Sequence, residues 1–192
     1  QQFKVEFECE FLGSVNTLIN PAKLKNLVYE NPINRNAGLD IHENPIKNHQ
    51  YLITVDVARG LGNDYSAFIV VDITNFPYNI VAKYRNNEIK PMLFPSIIYD
   101  VAKGYNDAFL LVEVNDIGDQ VASIIHYDLE YDNLLMASMR GRAGQVVGTG
   151  FSGKKTQLGV RTTAAVKKLG CSNLKTLLED DKILVKDYEI IS

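Results

Sequence analysis

The sequence predicts an α/β fold, a mixed β-sheet with helices packed over it. Three observations predict this. Residues 51–87 hold three β-rich runs separated by short turns, the pattern of an antiparallel meander. Residues 91–137 then alternate helical spacing with continuous apolar runs, which adds strands joined through helices. Finally, 192 residues with 46% apolar and 22% charged content suffice for one ordinary packed core.

Each element follows from its residues. Tyr51–Val57 is almost continuously apolar and reads as a strand buried on both faces. Ser66–Ile73 is a second β-rich run, and Asn79–Asn87 a weaker third. From Pro91 to Lys103, Met92, Phe94, Ile97, Ile98 and Val101 recur near helical spacing. Pro95 suits the first turn of that helix and Gly104 the position just past its end. Phe109–Val114 is another buried strand, Ile117–Tyr127 a helix with Val121, Ile124 and Ile125 inward, and Leu134–Ala137 a short strand. A glycine-rich basic stretch follows and reads as a flexible loop. A helix then opens at Thr156 or Thr162 and ends near Gly170, Asn173–Leu178 forms another, and Ile183–Val185 is a closing strand.

Residues 1–50 differ in texture. They carry three of the six prolines (Pro21, Pro32, Pro45) and many asparagines, a composition of loops and turns. Apart from an alternating stretch, Phe3–Leu12, that suits a short strand, they read as a partly ordered lead-in from a preceding domain. The folded domain spans 51–192. The first residue is Gln, as expected of a fragment or processed chain.

Several classes are excluded. No run of about 18 apolar residues exists, so no membrane-spanning helix is expected, and no basic-then-apolar targeting signal opens the chain. Cys9 and Cys171 match no metal or redox spacing and read as reduced, buried thiols. His42, His49 and His126 form no His-x-x-x-His pattern, which argues against a zinc site.

Net charge is −3, but it is unevenly spread. Between Asp132 and Glu179 there is no acidic residue, while Arg140, Arg142, Lys154, Lys155, Arg161, Lys167, Lys168 and Lys175 supply eight of the twenty basic ones. The remainder holds twelve positive and 23 negative charges, a balance of −11. An acidic part beside a basic stripe suits a protein that holds metal with one and a phosphate backbone with the other.

The acids that carry chemistry lie at strand ends. Asp56 closes the run Tyr51-Leu-Ile-Thr-Val, and Glu113 closes Phe109-Leu-Leu-Val. A carboxylate at the end of a buried strand is costly unless a cation meets it, and for oxygen ligands a divalent metal is the usual partner. If the two strands are neighbours, their carboxylates converge on Mg²⁺ or Mn²⁺ ions, which in pairs lie about 3.5–4 Å apart and promote phosphodiester cleavage. The bland alternatives are a turn cap at Asp56 and a salt-bridged strand end at Glu113. Asp64 follows Gly60 and Gly62, which let the turn fold back toward Asp56; its alternative role is an Asx turn. Asp72 reads as a solvated turn acid and Asp116 as a helix cap.

The segment Gly148-Thr-Gly-Phe-Ser-Gly-Lys154-Lys155-Thr156 nearly spells a phosphate-cradling G-x-x-x-x-G-K-[ST] loop. Lys155 takes the place of the metal-side hydroxyl, and no long buried strand leads in. It reads instead as a basic loop that tracks phosphates without reading bases, with a solvated cationic face as the bland alternative.

Together, Asp56 with the Gly-x-Gly-x-Asp64 turn, Glu113, and the segment Lys154-Lys-Thr-Gln-Leu-Gly-Val-Arg-Thr-Thr-Ala-Ala-Val-Lys-Lys-Leu-Gly-Cys-Ser-Asn-Leu-Lys-Thr-Leu-Leu-Glu179 resemble the C-terminal nuclease domain of the large terminase subunit of myovirus-type tailed bacteriophages. The lead-in Glu6-Phe-Glu-Cys-Glu-Phe-Leu-Gly13 resembles the join after that family's packaging ATPase domain. The resemblance covers nearly the whole chain. It implies a ribonuclease H-like fold and a Mg²⁺-dependent endonuclease, with Mn²⁺ as substitute, that cuts concatemeric viral DNA around head filling. The acid-free basic stretch, read by itself, puts Arg140, Arg142, Lys154, Lys155, Arg161 and Lys168 on DNA phosphates; the resemblance places the first catalytic acids on Asp56 and Glu113, with Asp64 in support. It implies double-stranded DNA, the ATPase domain, the small terminase subunit and the portal as partners, in the host cytoplasm at the procapsid. The family's third acid follows the last strand in a His-Asp-Asp-like segment, and no such segment stands before Ser192. Asp180, Asp181 and Asp187 are not assigned that role.

Two other classes compete. One is a non-catalytic DNA-binding and translocating module using the same basic stretch. The other is an actin-like or sugar-kinase-like ATPase, which needs a second equivalent domain and a second glycine-rich phosphate loop that the sequence does not supply.

Overall fold

A computed structural model describes residues 18–139, 145–149 and 156–191. Its main sheet is built on a three-stranded antiparallel meander, β3 (Tyr51–Asp56), β4 (Ser66–Asp72) and β5 (Tyr78–Asn86). A short helix α1 (Pro21–Lys25) precedes the sheet, and the helix α2 (Phe94–Gly104) returns the chain from β5 to β6 (Phe109–Val112), which lies parallel to β3. On the other edge the hairpin β1 (Asn34–Asn36) and β2 (Leu39–Ile41) pairs through β2 with β5. The strand order is therefore β1-β2-β5-β4-β3-β6, with β10 (Ile183–Leu184) parallel to the start of β5. This is the mixed sheet flanked by helices that the sequence predicts. β1 and β2 lie inside the segment read above as lead-in and were not anticipated. They are three residues each and largely polar, too short to show a period.

One face of the sheet is closed. Phe68 of β4, Tyr84 of β5 and Phe94 of α2 stack at centroid distances of 5.1, 6.1 and 5.5 Å. Ile53, Val55, Leu110 and Val112 join them beneath α2 and the short helix α3 (Gly118–Ser123), which runs on as a π turn over Ile124–Asp128. Burying side chains of this size contributes about 1.5–3 kcal/mol each. The other face is covered only in part. Near β10 it packs against Leu178 at the end of α4 (Ala164–Glu179). Farther along, Leu52, Thr54, Ile69 and Leu111 are only half-buried. β3 is thus not buried on both faces as its composition suggests; burial alternates along it and ends exposed at Asp56.

The basic stretch departs most from expectation. Its described parts form β8 (Gln145–Gly148) and β9 (Thr156–Leu158), which flank β7 (Met136–Met139) in a second, three-stranded sheet. The two helices expected after it are one. Thr163 caps α4 through a hydrogen bond from the Val166 amide, and Gly170 sits inside the helix with open space around it. Cys171, on α4, is partly exposed rather than buried. Cys9 and the Phe3–Leu12 stretch lie outside the described residues, as do Arg140, Arg142, Lys154 and Lys155.

Candidate active site

Parallel pairing of β3 and β6 delivers two carboxylates to one place. Val55 lies opposite Val112. The Glu113 amide donates to the Val55 carbonyl at 2.8 Å, so pairing continues to the acids themselves. Neighbouring strands lie about 4.8 Å apart, and side chains alternate between faces. Asp56 and Glu113 therefore issue from adjacent points, on the less covered face, at the C-terminal end of both strands. Ligand sites in open sheets gather at this edge.

The backbone around Glu113 is shaped by close approaches. A Cβ on Gly118 would stand 1.9 Å from the Glu113 carbonyl oxygen, so only glycine lets α3 begin this near the acid. Gly159, at φ +73°, would carry a Cβ 2.2 Å from the Val112 carbonyl oxygen. Its freedom lets Val160 lie beside Glu113, with the Val160 amide donating to Val112 and the Val114 amide donating to Val160, both at 2.9 Å. Asn115 then fixes the side chain. Its Nδ2 donates to Glu113 Oε1 and to the Thr162 carbonyl, each at 3.0 Å.

Asp56 sits where two cavities meet. A groove of about 380 Å³ runs over the open face past Thr54, Ile69, Leu111, Glu113 and Thr162. A second cavity, about 420 Å³, lies against the loop after β3 and is lined by Arg59, Asp64, Tyr65 and Asp116. Asp64 thus shares a cavity with Asp56 but not with Glu113. Gly60 and Gly62 take the left-handed conformations expected of the turn, at φ +66° and +86°. The turn is anchored at its far side by the Gly62 amide, which donates to Asn87 at 2.9 Å, and at its near side by Ser66, whose Oγ accepts from the Ala58 amide at 3.0 Å.

The electrostatics are lopsided. Although the residue is exposed overall, partial desolvation of its carboxyl first, and the negative charge of Glu113 second, push Asp56 above the usual aspartate range. Asp64 adds to this, and a hydrogen bond from the Val57 amide works against it. Among the described residues no lysine, arginine or histidine pairs with Asp56, Glu113 or Asp64. The donor set is carboxylate oxygen alone, which fits a hard divalent cation. Among the described residues, however, no three His, Cys, Asp or Glu side chains group closely enough to hold one, so the arrangement is an adjacent pair with Asp64 set apart.

Of the predicted DNA contacts, Arg161 is exposed one residue past Val160, its backbone gripped on both sides by the Gln145 side chain at 2.7 and 3.0 Å. Lys168 is exposed on α4. Two weaker readings are corrected. Asp116 does not cap α3; it adopts φ +52° and pairs with Arg59, because Ile117 takes the cap position. Asp72 is not simply solvated, since His49 Nδ1 lies 2.6 Å from its Oδ2 and Thr74 donates to it. Asn115 and Arg59 were missed. Each had a signal: Asn115 lies two residues past Glu113, and Arg59 and Asp116 each lie three residues past the acid of their strand.

The fold has counterparts among known proteins. Residues 53–192 match the terminase RNaseH-like domain family, and the chain belongs to that family. The large terminase nuclease of thermophilic phage G20c with bound magnesium superposes with a TM-score of 0.68 at 19% identity, covering 93% of this chain and 79% of that one. The cobalt-bound form gives 0.66 at 20% identity over 93% and 79%. The large terminase nuclease domain of Thermus phage P74-26 gives 0.61 at 19% identity over 91% and 74%. These likenesses show a ribonuclease H-like fold, and the family supports a nuclease-type role. No helix among the described residues is long and apolar enough to cross a membrane.

Proposed function

We propose that the domain is a Mg²⁺-dependent endodeoxyribonuclease, with Mn²⁺ as an effective substitute, that cuts double-stranded DNA with little sequence preference. One observation carries this reading: Asp56 and Glu113 stand side by side at strand ends, on an open groove, with no cation among the described residues to neutralise them. Metal-bound forms of the G20c nuclease lend support.

Asp56 and Glu113 would hold the ion through oxygen, with Asp64 in support from the adjoining cavity. When bound, a divalent ion supplies Lewis acidity toward the phosphodiester and lowers the pKa of water. Asn115 holds Glu113 Oε1 in place through its hydrogen bond. Ile69 and Leu111 give that groove an apolar floor, which limits water beneath the acids. Arg161 and Lys168, with Arg140, Arg142, Lys154 and Lys155, take up backbone phosphates and so position the duplex without reading it.

In the wider setting we propose cleavage of concatemeric viral DNA during packaging, in the host cytoplasm at the procapsid portal. The partners would be a packaging ATPase domain joined through residues 1–50, the small terminase subunit and the portal. Supercoiled plasmid tests the chemistry. Wild type should nick and linearise it with Mg²⁺ or Mn²⁺, and Asp56→Ala and Glu113→Ala should not; cleavage retained in both variants contradicts the reading.

A second reading has one observation in its favour, the lack of a three-ligand group among the described residues. In it the domain binds and moves DNA without cutting. Salt-sensitive DNA binding with no cleavage under any divalent metal would establish it.

A further inference from the structure

Arg59 is a cation on the wall of the acid-lined cavity that holds Asp56 and Asp64. It points at neither. Its Nε donates to Asp116 Oδ2 at 2.8 Å and its Nη2 to Asp116 Oδ1 at 2.6 Å, a two-pronged pair. The pair bridges the loop after β3 to the loop after β6, three residues beyond Asp56 on one side and three beyond Glu113 on the other. Both side chains are largely in water, at 64% and 59% exposure. Asp116 holds φ +52° there, a conformation that aspartate tolerates better than most residues.

Those features suit exchange better than scaffolding. An exposed pair is screened by salt and open to competing anions from solvent, so this one can be exchanged where a buried strut could not. The guanidinium fork fits a phosphate as well as it fits a carboxylate. Asp116 therefore presents to Arg59 the same two-oxygen anion that a DNA backbone would. We infer that Arg59 is a DNA-phosphate ligand beside the metal site and that Asp116 masks it until DNA displaces the carboxylate. This rests on the nuclease reading above and adds to it a substrate contact outside the acid-free basic stretch.

The two partners must then act in opposite directions on DNA binding. The test is fluorescence anisotropy of a labelled duplex with the full chain in EDTA, where no cleavage occurs, across a salt series. Arg59→Ala should weaken binding about tenfold and lower the slope of log affinity against log salt by about one. Arg59→Lys keeps the charge without the fork and should fall between. Asp116→Asn should tighten binding severalfold, and that gain should vanish in the Arg59→Ala background. Asp119→Asn removes the same charge three residues away and should leave binding within about twofold, so a general loss of negative charge is accounted for. A strut predicts instead that Asp116→Asn and Arg59→Ala weaken binding together and leave the salt slope unchanged; that result overturns the inference. So does binding that ignores Arg59 in a wild type that cleaves plasmid. A wild type that neither binds nor cleaves overturns the nuclease reading itself.

Discussion

Two groups of acids lie on the same face of one sheet and are treated in opposite ways. At the ends of β3 and β6, Asp56 and Glu113 stand together with no side-chain cation among the described residues. Two strands from β3, Lys83 of β5 lies in register with Asp40 of β2. There Lys83 also meets Asp187 at 2.9 Å and Glu189 at 2.8 Å, His42 Nε2 lies 3.2 Å from Asp187, and Arg35 donates to Asp40 at 2.8 Å. Burial raises the pKa of both Asp56 and Asp187. At Asp187 the hydrogen bonds from Lys83 and His42 outweigh it and hold the carboxyl below the usual range. At Asp56 the neighbouring charges are negative and add to it. One group is neutralised by cations of the chain; the other, among the described residues, is not.

The comparison is broken most directly by deleting one acid of the open pair. Asp56→Ala or Glu113→Ala should lower metal-dependent nicking by two orders of magnitude or more, the scale of losing one strong electrostatic stabiliser. The same variants should keep or raise the metal-free melting temperature, because they remove repulsion. At the closed group the effect reverses. Lys83→Met leaves Asp187 buried without its lysine and should cost about 3 kcal/mol of stability in urea unfolding, with no defect in cleavage at temperatures where the protein is folded.

Asn115→Ala sharpens the picture. It should reduce cleavage or metal affinity about tenfold, as expected when the partner that orients a ligand is lost, and leave DNA binding in EDTA unchanged. The smallest effect is in pH. Asp187, held low, contributes stability that is present above about pH 4, the ordinary aspartate value, and lost as pH falls through its folded value. Asp56, held high, has the opposite sign: metal-free stability falls as pH rises from about 4 through its raised value. Asp56→Asn should flatten that second region of a stability–pH profile, and saturating Mg²⁺ should do the same for wild type.

The same contrast explains what could be read in advance. β3, β4, β5 and β6 fall within a residue or two of their expected bounds, because each is an apolar run ended by turn residues. Asp56 and Glu113 were visible as acids that end such runs. Their adjacency was not, since it depends on β6 pairing with β3 rather than with β5. The closed group was illegible for a related reason. Asp40, His42, Lys83 and Asp187 are spread over nearly 150 residues, and each is an ordinary polar residue until β2 and β10 reach the same edge of β5. In the basic stretch, glycines suggested a loop, while β7 recruited Gln145–Gly148 and Thr156–Leu158 as strands. Tertiary pairing overrode local propensity there.

The most direct measurement of the central claim is a crystal of the protein soaked in Mn²⁺ and examined by anomalous scattering. The account predicts a peak bound by carboxylate oxygens of both Asp56 and Glu113, and none at the Lys83–Asp187 group. No peak at the pair, with Asp56 hydrogen-bonded only to backbone amides such as that of Val57, would contradict it.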